Sequence, residues 1–411
     1  MAGRFVHRTL DSGIEFAANV LPDRRTVAVE IRVLTGMTDE PVEHLGVARL
    51  VEETLDKGTA KRDGRAFSDA FDAIGARRGS WTGRQATGFT CVCLPEFLPE
   101  VIDLHTEMLR TPTFPADACE VAVELTRQEL TALDDEAREL TDKLLARQAY
   151  GPVLGRHGLG EPETIERITR DVIRAHWEQS FSAGRMQVVV AGAVDADAVA
   201  DRLDDAFAGF GSSERSGRDT VPVEFEAARS HLDKELEQQQ LAICYPGVPA
   251  TDDAYPTQRV MLGILAGGMS CRLFTEIREK QGLVYWVDAW EDHPRGAGMI
   301  HLGASSTPDR CHKTYETLLR EVDRLGEDLE LSELQRAVTS MVAKHETRGD
   351  ITRALCGELA NDIYYYSCPI ATDEKIAKLK AVTVDDVRGY LDAHPRDRLS
   401  VVTVGPRKLE L

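Results

Sequence analysis

Two hydrophobic rhythms follow one another along this chain, and the succession occurs twice. Residues 25–55, RTVAVEIRVLTGMTDEPVEHLGVARLVEETL, open with period-two alternation and pass through Gly and Pro turns into helical spacing. Residues 238–268, QQQLAICYPGVPATDDAYPTQRVMLGILAGG, do the same. A strand, a Pro-containing turn and an amphipathic helix follow in each half, as GFTCVCLPEFLPEVIDLHTEML and GMIHLGASSTPDRCHKTYETLLREVDRL. Each half then closes on a Thr-capped helix and an apolar strand, ITRDVIRAHWEQSFSAGRMQVVVAGAVD and VTVDDVRGYLDAHPRDRLSVVTVGP. Thr169 and Thr383 are the expected N-caps, with Asp171 and Asp385 at the positive helix ends.

Repetition in order implies two copies of one α+β unit. Each is expected to be a mostly antiparallel sheet with helices packed on one face. The intervening stretch GFGSSERSGRDTVPVEFE is polar and rich in Gly and Ser, so it reads as a linker. The expected division is 1–212, a linker at 213–222, and 223–411. The strand and helix order is not Rossmann-like. Gly267 and Gly268 lack P-loop spacing, which argues against a nucleotide site.

Composition narrows the function classes. The chain has 411 residues, 42% of them apolar, enough for two cores. A formal net charge of −20 argues against nucleic acid, whose phosphates need a basic face. No apolar run reaches signal-peptide or membrane-spanning length, so the expected location is cytoplasmic, without membrane insertion. Eight scattered cysteines with no Cys-x-x-Cys pair read as reduced packing residues. His44, His105, His157 and His176 stand alone, and a lone histidine is more often a surface or core residue than a ligand.

The informative stretch is Gly46-Val-Ala-Arg-Leu-Val-Glu-Glu-Thr-Leu-Asp-Lys-Gly-Thr59. It resembles the zinc helix of the pitrilysin/insulinase-like metallopeptidases of the mitochondrial-processing-peptidase type, G-x-A-H-x-x-E-H-x-x-x-K-G-T. Gly46, Ala48, Glu52, Leu55, Lys57, Gly58 and Thr59 fit, but Arg49 and Glu53 occupy the two histidine positions. In the intact motif two imidazoles one turn apart grip Zn²⁺, and the intervening Glu activates the metal-bound water. The resemblance places the family's third ligand at Glu129, while a further family Glu falls on Ala122 and is absent. A guanidinium has no free lone pair at neutral pH and cannot ligate zinc. Two carboxylates alone are too few for a tight zinc site. The expectation is no cofactor in this chain, no hydrolysis by the chain alone, and Arg49 paired with Glu53 and Glu129.

The second half carries Arg278-Glu-Lys-Gln-Gly-Leu-Val-Tyr285, which resembles the family's R-E-K-x-G-L-x-Y signature. There the resemblance implies an Arg and a Tyr that bind the substrate backbone and support the oxyanion. Thr82, Arg84 and Thr87 fall where the resemblance places a substrate edge strand, with Trp81 and Gly83 departing from the usual residues. The implied role is a non-catalytic subunit of a heterodimeric zinc endopeptidase, whose homologous partner keeps H-x-x-E-H and holds the zinc around a peptide substrate. Alternatives are a structural or scaffold subunit, or an active homodimer with altered metal ligands. Self-association without the partner is compatible with each.

Overall fold

Each recurring strand pattern lands in its own sheet. The structure is a computed structural model that describes residues 4–409. Six strands, β1 (Arg4–Thr9), β2 (Glu15–Val20), β3 (Val27–Val33), β4 (Arg77–Thr82), β5 (Thr87–Cys93) and β6 (Met186–Gly192), pair in the order β1-β2-β6-β3-β5-β4. Five more, β7 (Arg229–Asp233), β8 (Gln239–Gly247), β9 (Val284–Asp292), β10 (Gly298–Ser306) and β11 (Ser400–Gly405), pair in the order β7-β11-β8-β10-β9. From β2 onward the first order maps on the second strand by strand. In both sheets one pair is parallel, β2 with β6 and β7 with β11, and the other pairs are antiparallel. The fold is α+β, built twice.

The expected caps are present. The Thr169 hydroxyl accepts from Val172 N at 3.4 Å, and that of Thr383 accepts from Asp386 N at 3.1 Å. No helix among the described residues is long and apolar enough to cross a membrane. All eight cysteines are free thiols, and six of them are buried.

One feature amends the contiguous division into 1–212 and 223–411. The first compact unit takes in Arg348–Ile370 from late in the chain, and the second takes in Ala132–Gly155 from early in it. The reason is burial on the second face of each sheet. Successive strand residues point to opposite sides. Leu241, Ile243 and Tyr245 of β8 face one core, while Ala242 and Cys244 face another, built with Leu145, Ala149 and Tyr150 of helix Ala137–Leu154. Likewise Ala17, Ala28, Val189 and Ala191 pack against Cys356, Leu359, Ala360 and Ile363 of helix Thr352–Tyr366. Each sheet therefore carries a helix on its second face as well, donated from across the linker.

Helix Val47–Thr54, which bears the metal motif, is held at its start by two devices. Gly46 adopts φ +98°, and a Cβ there would stand 2.6 Å from Ile165 Cδ1, so the motif glycine is obligatory. Glu40, almost fully buried, accepts from Ala48 N at 2.9 Å and so caps the helix from a preceding loop. Burial outweighs these N–H contacts and raises the Glu40 pKa to about 7.

A folded-state pKa above the ordinary carboxylate value means that this contribution is complete below about pH 4.5 and is lost as pH rises through about 7. Glu40→Gln should therefore gain stability relative to wild type across that interval, by up to about 3 kcal/mol at about 1.4 kcal/mol per pKa unit. Urea unfolding of both proteins at several pH values checks this. A difference that does not change with pH would contradict it.

Candidate functional site

Arg49 lies at the centre of the motif helix's open face. Its Nε donates to Glu53 Oε1 at 2.7 Å, one turn along the helix. Its Nη2 contacts Glu129 Oε2 at 2.7 Å, on helix Ala116–Asp135. Burial disfavours the cation, but Glu53 and Glu129 outweigh it and hold its pKa above the ordinary value. One guanidinium thus spans the side chains that stand at a histidine position and at the third-ligand position.

The setting is half open. Side-chain exposure is 27% for Arg49, 29% for Glu53 and 50% for Glu129. At such exposure each pair is worth about 0–1 kcal/mol. Glu129 is half-exposed and water reaches it, so Arg49 does not compensate a buried carboxylate there. Glu52 is the more buried member. Burial raises its pKa, a hydrogen bond from Ser80 opposes the rise, and Thr82 Oγ1 approaches it at 3.4 Å. Arg49, Glu52, Glu53, Ser80 and Thr82 line a cleft of about 490 Å³, with His157 and Leu159 also in its wall.

The residues do not fit a zinc ion. The position between Glu53 and Glu129 is taken by a permanent cation with no lone pair to offer. Among the described residues, no group of three or more His, Cys, Asp and Glu side chains is placed to hold a metal. The lone histidines behave as packing residues where they are buried. His105 Nδ1 meets Val101 O at 2.7 Å, and burial lowers the pKa of both His105 and His176 to about 4.

The strand beside the cleft is β4, one of the two edge strands of its sheet. Of the three proposed edge residues only Thr82 lies on it. Arg84 is in the following turn, and Thr87 begins β5, where it is buried and donates to Thr35 O at 2.9 Å. The edge therefore runs 77–82 rather than onward from 82, because the chain turns back at 83–86. Ser80, which the sequence reading missed, shares the Glu52-facing side with Thr82, two positions on. The Trp81 ring lies over Gly88, where a Cβ would stand 2.2 Å from it, and Arg32 sits 5.6 Å above the ring.

Arg278 and Tyr285 come together in the second unit. Arg278 is on the π-helical turn Phe274–Lys280, a local widening often found at functional sites. Gly282, at φ +57°, turns the chain back into β9. The guanidinium carbon lies 5.4 Å from the Tyr285 ring and 4.9 Å from that of Phe274. Among the described residues it has no hydrogen-bond or ion-pair partner. Tyr285 is 73% exposed, so both groups are free for a ligand.

Residues 16–160 match the family Insulinase (Peptidase family M16), and residues 167–341 match Peptidase M16 inactive domain. The chain is 28% identical to an uncharacterized zinc protease of Streptomyces coelicolor, covering 97% of this chain and 89% of that protein. It is 25% identical to an uncharacterized zinc protease of Bacillus subtilis, covering 93% of each. Its fold is similar to that of a peptidase M16 inactive domain from Pseudomonas fluorescens, with TM-score 0.90, 19% identity and 99% of each chain covered. A protease from Helicobacter pylori gives TM-score 0.90 at 14% identity, covering 99% of this chain and all of that one.

If only the two substituted side chains exclude metal, replacing both should create a site. The double variant Arg49→His, Glu53→His would place two imidazoles one turn apart opposite Glu129. Elemental analysis after dialysis should find stoichiometric zinc in this variant and none in wild type. A folded double variant without zinc would show that the helix geometry itself has drifted.

Proposed function

The chain belongs to the insulinase-like peptidase family M16, and from that premise we propose that it is the non-catalytic, substrate-binding subunit of a heterodimeric zinc endopeptidase. The observation that carries this is Arg49 held between Glu53 and Glu129. A chain with this arrangement has no place for the Lewis acid that would activate water, so the hydrolytic centre belongs to a homologous partner with an intact H-x-x-E-H helix.

What the chain contributes is binding and charge. Among the described residues the Arg278 guanidinium has no hydrogen-bond or ion-pair partner, and it stands beside the ring of the exposed Tyr285. A mobile peptide carbonyl that gains negative charge during hydrolysis is stabilised by such donors, and by more than its ground state is. The free backbone groups of edge strand β4 offer an extended peptide main-chain hydrogen bonds. The zinc, and the water it activates, are the partner's.

Reconstitution with such a partner tests the proposal. Arg278→Ala together with Tyr285→Ala should lower peptide turnover by about a hundredfold, with the zinc content of the complex unchanged. Turnover equal to that of the wild-type complex would favour a scaffold role. Turnover by this chain in the absence of any partner would exclude the proposal.

A further inference from the structure

Strand β9 closes one edge of the five-stranded sheet. Its alternate residues Trp286, Asp288, Trp290 and Asp292 share one face. The two indole rings lie 6.4 Å apart. They rest over β10 because residue 303 is glycine: a Cβ there would stand 2.6 Å from the Trp286 ring and 3.1 Å from that of Trp290. Trp290 stacks on His301 at 5.2 Å, and Tyr150 stacks on His301 at 5.9 Å. The Tyr150 hydroxyl donates to Asp292 at 2.6 Å. The shelf is therefore fixed by its neighbours, while both tryptophans stay only half-buried.

A cation already sits on it. Arg138, exposed in the first turn of helix Ala137–Leu154, holds its guanidinium carbon 3.7 Å from the Trp286 ring centroid. Asp288, on the same strand face, and Asp142, one turn along the helix, are half-buried carboxylates with Arg138 as their neighbouring cation. Neither is in salt-bridge contact with a cation among the described residues. Burial raises the pKa of both; Asp288 accepts from Ala289 N at 2.8 Å, and this bond and then Arg138 offset part of its rise, while for Asp142 Arg138 alone does so. An indole face attracts a cation, more strongly when water is excluded, and nearby carboxylates add to the attraction. Aromatic rings alone would accept any flat apolar group. Aromatic rings beside under-compensated carboxylates select a cation.

We infer that the Trp286–Trp290 shelf, with Asp288 and Asp142, is a subsite for the basic side chain of an extended peptide, and that Arg138 is a resident placeholder which a peptide arginine or lysine displaces. The inference rests on the reading that this chain binds peptides. The unpaired backbone of β9 gives the incoming segment main-chain partners.

The test uses the purified full-length chain and an alanine-based peptide with one central arginine. Its control is the same peptide with citrulline, which keeps the shape and removes the charge. Calorimetry should find the arginine peptide about tenfold tighter. Arg138→Ala should tighten the arginine peptide further and leave the citrulline peptide unaffected. Trp286→Ala should abolish the preference, and Trp286→Phe, which keeps a ring face, should retain part of it. Equal affinity for the two peptides would overturn the subsite while leaving peptide binding in place. No binding of either would overturn the peptide-binding reading and the subsite with it. Arg138→Ala weakening both peptides alike would mark Arg138 as purely structural and overturn the placeholder.

Discussion

Arg49 bridges Glu53 on its own helix and Glu129 on the next, and this one cation decides what the first unit can do. The contacts that hold the start of this helix are in place around it. Gly46 occupies a backbone conformation that a side chain would not tolerate, and Glu40 caps the helix from a preceding loop. At the other end the Thr59 hydroxyl donates to the buried Glu107 carboxylate, which also pairs with Arg62. The helix is anchored at both ends, and a guanidinium occupies the position between the two carboxylates. At the exposure of these side chains the ion pairs add little stability. Their consequence is exclusion, since a guanidinium in that position neither ligates a metal nor gives up its proton.

The duplicated architecture gives the exchange its context. Both sheets have the same strand order from β2 and from β7 onward, and β4 and β9 are the corresponding edge strands. The two units have diverged at those edges. Beside β4 stand Glu52, Ser80 and Thr82 around a cleft closed to metal. At and beside β9 stand Arg278, packed on the rings of Phe274 and Tyr285, an exposed Tyr285, and a tryptophan shelf. On the proposed reading, the first unit supplies no metal and the second supplies groups suited to holding a peptide.

Much of this is legible in the sequence, and what is not has definable causes. Alternation and helical spacing disclose the repeat, because core-facing periodicity is local. The Thr caps and the Arg49–Glu53 spacing are legible for the same reason. Glu129 needed the family resemblance, since its approach to Arg49 is long-range. The exchanged helices Ala137–Leu154 and Thr352–Tyr366 were missed because an apolar helix face does not specify which sheet it covers. Thr87 was misplaced because nothing local marks which strand of a hairpin faces a neighbour and which is the edge. Glu40 caps from a loop, outside the usual N-cap spacing. The Trp286-x-Asp288-x-Trp290 alternation is visible in the chain, but its meaning depends on Arg138 from the distant helix.

The central claim is that the acid retained in the motif helix no longer activates water. The direct measurement is peptide turnover by the reconstituted complex when this chain carries Glu52→Gln, an isosteric change that its Ser80 and Thr82 hydroxyl neighbours can accommodate. The account predicts turnover within about twofold of wild type, against a catalytic-base loss of about a hundredfold or more. Loss of turnover on that scale, with the complex assembled and its zinc retained, would contradict it and return this chain to the catalytic side of the enzyme.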